Sequence, residues 1–170
     1  MAQNAESTDD TIYSWWVPLT YTSKSQDNFK TTSPTTWLKE GQEQKVVQNV
    51  GGAQDWVIFN VQETGYYRVN YDHRNWNLLM EQLLKDHEVI PPINRAQILN
   101  DALSLARAGE LDYNIALNMT RYLTKERDYI PLNAALDGIE YIETMLKRSG
   151  GYGSYKVSKV TDIDNIVADL

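Results

Sequence analysis

Up to about residue 72 the apolar positions recur with a period of two. Val17, Leu19 and Tyr21 interleave with Pro18, Thr20 and Thr22, which predicts a half-buried strand. Pro18 has no N–H to give to a ladder, so this strand belongs at an edge. Residues 45–50, a Gly51-Gly52 turn and residues 56–61 predict two strands joined by the turn, the second apolar on both faces and hence central. Residues 62–65 predict a further turn. Residues 66–71 then predict a strand with Tyr67, Val69 and Tyr71 on one face and Tyr66, Arg68 and Asn70 on the other. Short strands separated by turns predict an antiparallel sandwich.

From Asn75 the period changes to about 3.6. Leu78, Leu79, Gln82 and Leu83 predict a short helix closed off by Pro91-Pro92. Asn94 is read as the cap of a second helix with the stripe Ile98, Ala102, Leu105 and Ala106, stopped by Gly109, where a left-handed residue is favoured. Asp112 starts a third helix, with Ile115, Met119, Tyr122 and Leu123 on its apolar side. Pro131 opens a fourth, with Leu132, Ala135, Leu136, Ile139, Ile142 and Leu146. Short connections make neighbouring helices antiparallel. The expected fold class is α+β, a partial antiparallel β-sandwich followed by an antiparallel helical-hairpin (α-superhelix) segment. The expected organisation is a disordered N-terminus over 1–11, the partial sandwich over 12–74, a helical region over 75–150 and a flexible tail over 151–170.

Composition narrows the function. Sixteen Lys and Arg stand against 23 Asp and Glu, a net charge of −7 spread over both halves of the 170 residues. A nucleic-acid surface needs clustered cations to displace counterions, so that partner class is excluded. No apolar run of roughly 18 residues is present, so direct membrane insertion is not expected, and the polar opening has no secretory-signal pattern. With no cysteine, the segment has neither disulfides nor thiolate chemistry.

The chemistry-bearing residues are sparse. His87-Glu88-Val89-Ile90-Pro91 resembles the first half of H-E-x-x-H, in which two histidines one helical turn apart bind zinc. Pro91 stands where the second imidazole is needed and also ends a helix, and His73 is the only other histidine. His87 is therefore read as a surface or helix-end residue, and no metal or cofactor is assigned to this chain. There is no G-x-S-x-G and no phosphate-cradling glycine loop. Trp15, Trp16, Trp56, Tyr66, Tyr67 and Tyr71 are read as packing residues, and Arg68 as the holder of a carboxylate or a loop carbonyl. Asn118-Met119-Thr120 is a formal N-glycosylation acceptor inside a predicted helix.

The run from Trp56 through Asn60, Gly65, Tyr66, Tyr67, Arg68, Val69, Asn70, Tyr71 and Asp72, followed by Asn75-Trp76, resembles the last two strands of the β-sandwich domain in aminopeptidase N-like zinc enzymes. Ile93-Asn94-Arg95-Ala96 through Asp101-Ala102, with Leu105 to Gly109 behind it, is similar to the opening of their helical C-terminal domain, and Glu126-Arg127-Asp128-Tyr129-Ile130-Pro131 extends the likeness. Insect gut members are the most similar in style. Leu132 and Asn100 depart from the residues usual there, Trp and Asp.

The resemblance implies a non-catalytic fragment of a zinc-dependent aminopeptidase that removes N-terminal residues from peptides. The fragment contributes the spacer and part of the cap over the peptide chamber. It implies family-motif structural roles for Trp56, Gly65, Tyr66, Tyr67, Arg68, Asn70, Tyr71, Asp72, Trp76, Asn94, Arg95 and Asp101. The chain starts beyond the family's catalytic motifs, so no catalytic residue is carried over, and zinc belongs to the parent enzyme. The implied partners are the remainder of the aminopeptidase chain and, through the full enzyme, peptides; the implied location is extracellular or anchored at the cell surface. An incomplete sandwich exposes apolar surface and a sheet edge, which predicts self-association. The competing reading is a stand-alone module that binds a protein or an extended peptide.

Overall fold

The computed structural model describes residues 15–147. The expectations for 1–11 and 151–170, for the first residues of the 12–74 region and for the last residues of the 75–150 region, fall outside them. The described residues are α+β: short strands first, then four α-helices.

Strand β1, Val17–Leu19, pairs antiparallel with β3, Thr36–Leu38, placing Pro18 opposite Trp37. Strand β2, Tyr21–Ser23, pairs antiparallel with β4, Val57–Phe59, placing Thr22 opposite Ile58. The single apolar alternation over residues 17–22 is thus divided between two two-stranded sheets. Thr20 sits at the division and is buried. Its carbonyl accepts from Asn60 N at 2.9 Å and its hydroxyl from Val61 N at 2.9 Å.

Three strand expectations are corrected. Residues 45–50 form no strand, and Val46 is exposed, so the stretch buries no apolar face that would hold it in a ladder. Strand β4 is not central among the described residues, since its ladder runs to β2 alone. Residues 66–71 keep the predicted alternation of burial but form no ladder. Their backbone groups are taken by side chains instead: Val69 N donates to Asp101 Oδ2 at 3.0 Å, and Tyr67 O accepts from Asn60 Nδ2 at 3.3 Å. A side chain that satisfies a backbone group removes the need for a neighbouring strand.

The helices follow their local signals. Helix α1, His73–Lys85, is capped by Asp72, whose carboxylate accepts from Asn75 N at 2.7 Å, and it buries Trp76, Leu79, Gln82 and Leu83. A 3-10 turn over His87–Val89 leads to α2, Pro92–Ala108, which ends at Gly109 with φ 81°. That conformation carries no Cβ penalty for glycine. Asn94 does not cap α2: it lies inside the first turn, fully buried, and Pro91 precedes the helix as N-cap with Pro92 at the first position. Helix α3, Tyr113–Met119, is capped by Asp112 and tightens into a 3-10 segment over Thr120–Lys125. Helix α4, Tyr129–Leu146, starts two residues before Pro131, which its first turn tolerates because that N–H has no intrahelical partner to lose. Leu136, expected on its apolar stripe, is 37% exposed.

Helix α2 is the hub. It packs chiefly on α4, then on α3, and on the 3-10 turn over Val61–Glu63 that follows β4. One contiguous apolar core runs from Phe29, Trp56, Ile58 and Val61 through Trp76 and Leu79 to Ile98, Leu99, Met119 and Ile139. Strand and helical portions therefore share a core.

Candidate functional site

The residues singled out by the sequence converge on the seam between the strand portion and α1–α2, and polar side chains do the joining. Asn75 lies in the first turn of α1. Its Oδ1 accepts from Val57 N at 2.8 Å and its Nδ2 donates to Val57 O at 2.8 Å, so one carboxamide stands in for a neighbouring strand beside β4. Trp56 Nε1 donates to Gln82 Oε1 at 3.3 Å. Tyr71 OH accepts from Phe59 N at 3.0 Å, and its ring meets Trp76 edge-on at 5.0 Å. Trp76 Nε1 donates to Asn70 Oδ1, and Asn70 Nδ2 donates to Glu110 O beyond α2.

Helix α2 reaches back into the loop after β4. Asn94 Oδ1 accepts from Gln62 N at 3.0 Å, and Asn94 Nδ2 donates to Gln97 Oε1 at 2.7 Å. Gln97 Nε2 donates to Phe59 O at 3.1 Å. The loop these groups hold is conformationally costly, with Asn60, Gln62 and Glu63 at φ 61°, 55° and 52°. Asn60 closes it by bonding both backbone groups of Gly65, at 2.7 and 2.8 Å. A Cβ on Gly65 would stand 2.3 Å from the Tyr67 ring, so the bare backbone is required there.

An open cavity of about 550 Å³ lies over this loop, lined by Glu63, Thr64, Tyr66, Arg68, Asn100 and Asp101 among others. Arg68 Nη1 bridges Asp101 Oδ1 at 3.1 Å and Asn100 Oδ1 at 3.2 Å, as expected for an arginine holding a carboxylate. Burial pushes the Asp101 carboxyl above its usual range, although the Val69 N–H and Arg68 pull the other way. Tyr67 OH donates to Pro18 O at 2.8 Å, and burial pushes its pKa up to about 12. Tyr66 lines the mouth of the cavity with its side chain in solvent.

Arg95 belongs to a second cluster on the far side of α2. Its Nε and Nη2 donate to Glu126 Oε2 and Oε1 at 2.7 and 2.9 Å, a bidentate pair with both side chains almost fully buried. Nη2 also reaches Asp128, and Nη1 donates to Ile90 O at 2.6 Å and His87 O at 3.3 Å. Burial pushes the Glu126 carboxyl up, but the bonds from Arg95 and from the Asp128 and Arg127 N–H groups outweigh it and hold the group below its usual range. His87 Nε2 is 3.9 Å from Glu126 Oε1, and its ring lies 5.7 Å from that of Tyr122.

These donors do not fit a zinc ion. Glu126, the acid facing His87, already spends both oxygens on Arg95, so a cation there would have to displace a buried guanidinium. No group of three or more His, Cys, Asp or Glu among the described residues could ligate a metal. His87, Glu126 and Arg95 form a structural cluster.

Sequence reasoning missed Asn60, Asn75, Gln97 and Glu126 as organising residues. All four lie within the runs that carry the family resemblance, which was the available signal. Asn118 lies in the last turn of α3 and is exposed. No helix among the described residues is long and apolar enough to cross a membrane.

Comparison with known proteins covers the same region. The family model for the ERAP1-like C-terminal domain matches residues 56–163. Aminopeptidase N of Plutella xylostella is 44% identical over 146 residues, 85% of this chain and 15% of that protein. Human aminopeptidase N is 42% identical over 146 residues, 85% of this chain and 14% of that protein. The thyrotropin-releasing hormone-degrading ectoenzyme of Mus musculus is 37% identical over 143 residues, 84% of this chain and 13% of that protein. The chain thus spans about a seventh of the length of these relatives. With its seam residues inside the matched region, the chain belongs to the ERAP1-like C-terminal domain family of aminopeptidase N-like proteins.

Proposed function

We propose that this chain is the non-catalytic junction of a zinc-dependent aminopeptidase that removes N-terminal residues from peptides. The strand portion, over 12–74, is the closing part of an antiparallel β-sandwich spacer. The region from 75 starts a superhelical cap over the peptide chamber. Zinc and the reacting groups are supplied by the rest of the enzyme, which is the chain's partner, and the whole works at the cell surface.

One observation carries this reading: the side chains of Asn75, Asn94, Gln97 and Asp101 on α1 and α2 bind backbone groups of Val57, Gln62, Phe59 and Val69. Such a seam fixes the angle at which helices leave a spacer, as a rigid cap requires, and it offers no nucleophile or water-activating base. The roles of Trp56, Tyr71, Trp76, Asn94, Arg95 and Asp101 are accordingly structural.

Two measurements test it. The purified 170-residue chain, given zinc and aminoacyl-arylamides, should show no turnover, and turnover above blank overturns the reading. In a full-length aminopeptidase carrying this segment, Asp101→Ala should leave zinc content intact while altering KM for peptides; unchanged kinetics with a loosened seam would remove the cap role.

The competing reading, a stand-alone binding module, is favoured by an apolar groove of about 660 Å³ lined by Trp15, Trp16, Val17, Pro18, Tyr66 and Tyr67. Native secretion of this segment free of any catalytic domain would favour that module.

A further inference from the structure

We propose that the apolar groove beside β1 is a self-complementary interface that pairs two copies of this chain about a two-fold axis. The inference goes beyond the junction reading and stands without it. The groove, about 660 Å³, is lined by Trp15, Trp16, Val17, Pro18, Tyr66 and Tyr67, none of them charged. Trp15 is 73% and Trp16 55% exposed, and Trp37, whose ring meets Trp16 edge-on at 6.4 Å, is 41% exposed. Tyr66 projects wholly into solvent at the rim.

The exposed area approaches what a dimer needs. The side chains of Trp15, Trp16, Trp37 and Tyr66 leave on the order of 600 Å² uncovered, at the upper end of the largest apolar patch an ordinary monomer shows. A stable interface takes about 800 Å² from each partner, and the half-buried Val17, Pro18 and Tyr67 stand beside these rings to add to it. The shape selects a second copy as the occupant. A two-fold contact needs one surface that is knob and hole at once, so that each copy's projecting ring enters the other's groove. Tyr66 is the knob, and the trough between Trp15, Trp16, Pro18 and Tyr67 is the hole. Tyrosine and tryptophan are also the side chains that most often anchor interfaces. The nearby sheet edge is a poorer site, because β3 has three residues and Lys39 and Glu40 follow it directly. Each copy carries a net charge of −7, so the copies repel at a distance, and a contact made by uncharged rings should tighten as salt screens that repulsion.

Sedimentation of the purified 170-residue chain over a wide concentration range tests the pairing. The mass should rise reversibly from 19.5 kDa to twice that value, and added salt should strengthen the dimer. Tryptophan emission should shift to the blue with the same concentration dependence, since Trp56 and Trp76 are already buried and only the groove tryptophans have solvent to lose. Tyr66→Ser deletes the knob from both halves of the contact. It should raise the dimer Kd by about a hundredfold, the square of the tenfold that losing one interface aromatic typically costs. Tyr66→Phe should keep the dimer. Because the Tyr66 side chain lies in solvent, Tyr66→Ser should melt with the dilute parent; if it does not, Trp15→Ser, at another exposed ring, reads the same surface. A chain that stays monomeric at every concentration, whatever else fills the groove, overturns the proposal. So does a dimer that both Tyr66→Ser and Trp15→Ser leave intact. A series of species beyond the dimer overturns it in favour of addition at a sheet edge, and a dimer that salt weakens overturns it in favour of ion pairing.

Discussion

Arg95 and Glu126, 31 residues apart, meet through two parallel hydrogen bonds of 2.7 and 2.9 Å in a site where their side chains retain 2% and 0% of their exposure. Breaking one side of such a pair leaves a charge buried without its counterpart, which costs far more than the intact pair contributes. Glu126→Gln keeps the shape and removes the charge, and should lower stability by about 3–5 kcal/mol, read as a denaturant midpoint shift at constant m. A loss near zero would mean that Asp128 and the carbonyls of Ile90 and His87 satisfy the guanidinium by themselves.

The two buried acids should give opposite pH dependences. Glu126 titrates below its ordinary 4.5, because hydrogen bonds from Arg95 and two backbone N–H groups overcome the upward push of burial. Its stabilising contribution is full above the unfolded value and is lost as pH falls through the depressed folded value. Asp101 titrates above its ordinary 3.8 because burial outweighs the Val69 N–H and Arg68. Its contribution therefore declines as pH rises through the raised folded value. Thermal melts across the acid range should show a flattened acid limb in Glu126→Gln. In Asp101→Asn the decline above the ordinary carboxylate value should disappear. If both variants track the parent curve, neither group is perturbed as described.

The helical half was largely legible because its signals are local. Gly109 does stop α2 in a left-handed conformation, and Asp112 does cap α3. The strand half was less so. The Lys45-Val46-Val47 stretch has strand-forming residues but stays in no ladder, with Val46 exposed, while Thr36-Trp37-Leu38 forms β3 with little alternation to announce it. Residues 66–71 read as a strand because their burial alternates, yet the acceptor for Val69 N is a carboxylate 32 positions away. Arg68 was expected to hold a carboxylate or a loop carbonyl without the group being named, and Asp101 is the carboxylate it meets. Which acid would face Arg95 could not be read, since a pairing 31 residues long leaves no periodic trace.

Asn94 should be the most sensitive neutral residue of the seam. It has no exposure, and its carboxamide serves Gln62 N, Gln97 and, at 3.4 Å, Asn60 O. Asn94→Ala leaves the part-buried Gln62 N–H, at a residue with φ 55°, without its partner, which should cost about 1–3 kcal/mol. Amide exchange should accelerate at Gln62 and Glu63 more than at Leu99. Uniform acceleration would place the loss in the whole fold and not in the loop.

Tyr122 offers a change of the opposite sign. Among the described residues, its hydroxyl is a buried side-chain oxygen without a hydrogen-bond partner. Tyr122→Phe removes an unsatisfied group and keeps the ring that packs on His87, so stability should hold or rise by about 1 kcal/mol. A clear loss in thermal melts would show that an ordered water serves the hydroxyl.

Gly138 places the backbone of α4 directly against Leu103 of α2. A Cβ there would stand 2.5 Å from Leu103 Cδ1 and 2.9 Å from Leu103 Cβ. The second distance decides the outcome, since a Cβ cannot swing away as a chain end can. Helix propensity alone favours Gly138→Ala by about 1 kcal/mol. Overpacking a filled core typically costs about 1–3 kcal/mol, and Leu103 belongs to the same buried core as Ala135 and Ile139 of α4. The net effect of Gly138→Ala should be destabilising by about 1 kcal/mol. Leu103→Ala alone opens a cavity and should cost about 2–5 kcal/mol; it removes the Cδ1 and Cγ contacts but keeps the Cβ, so in that background the clash of Gly138→Ala is relieved only in part. The double variant should therefore lose less stability than the sum of the two single variants, a coupling that a double-mutant cycle reads directly. A cycle in which the two effects simply add would mean that α4 slides away from α2 at no cost, and that the glycine is not what holds the two helices close.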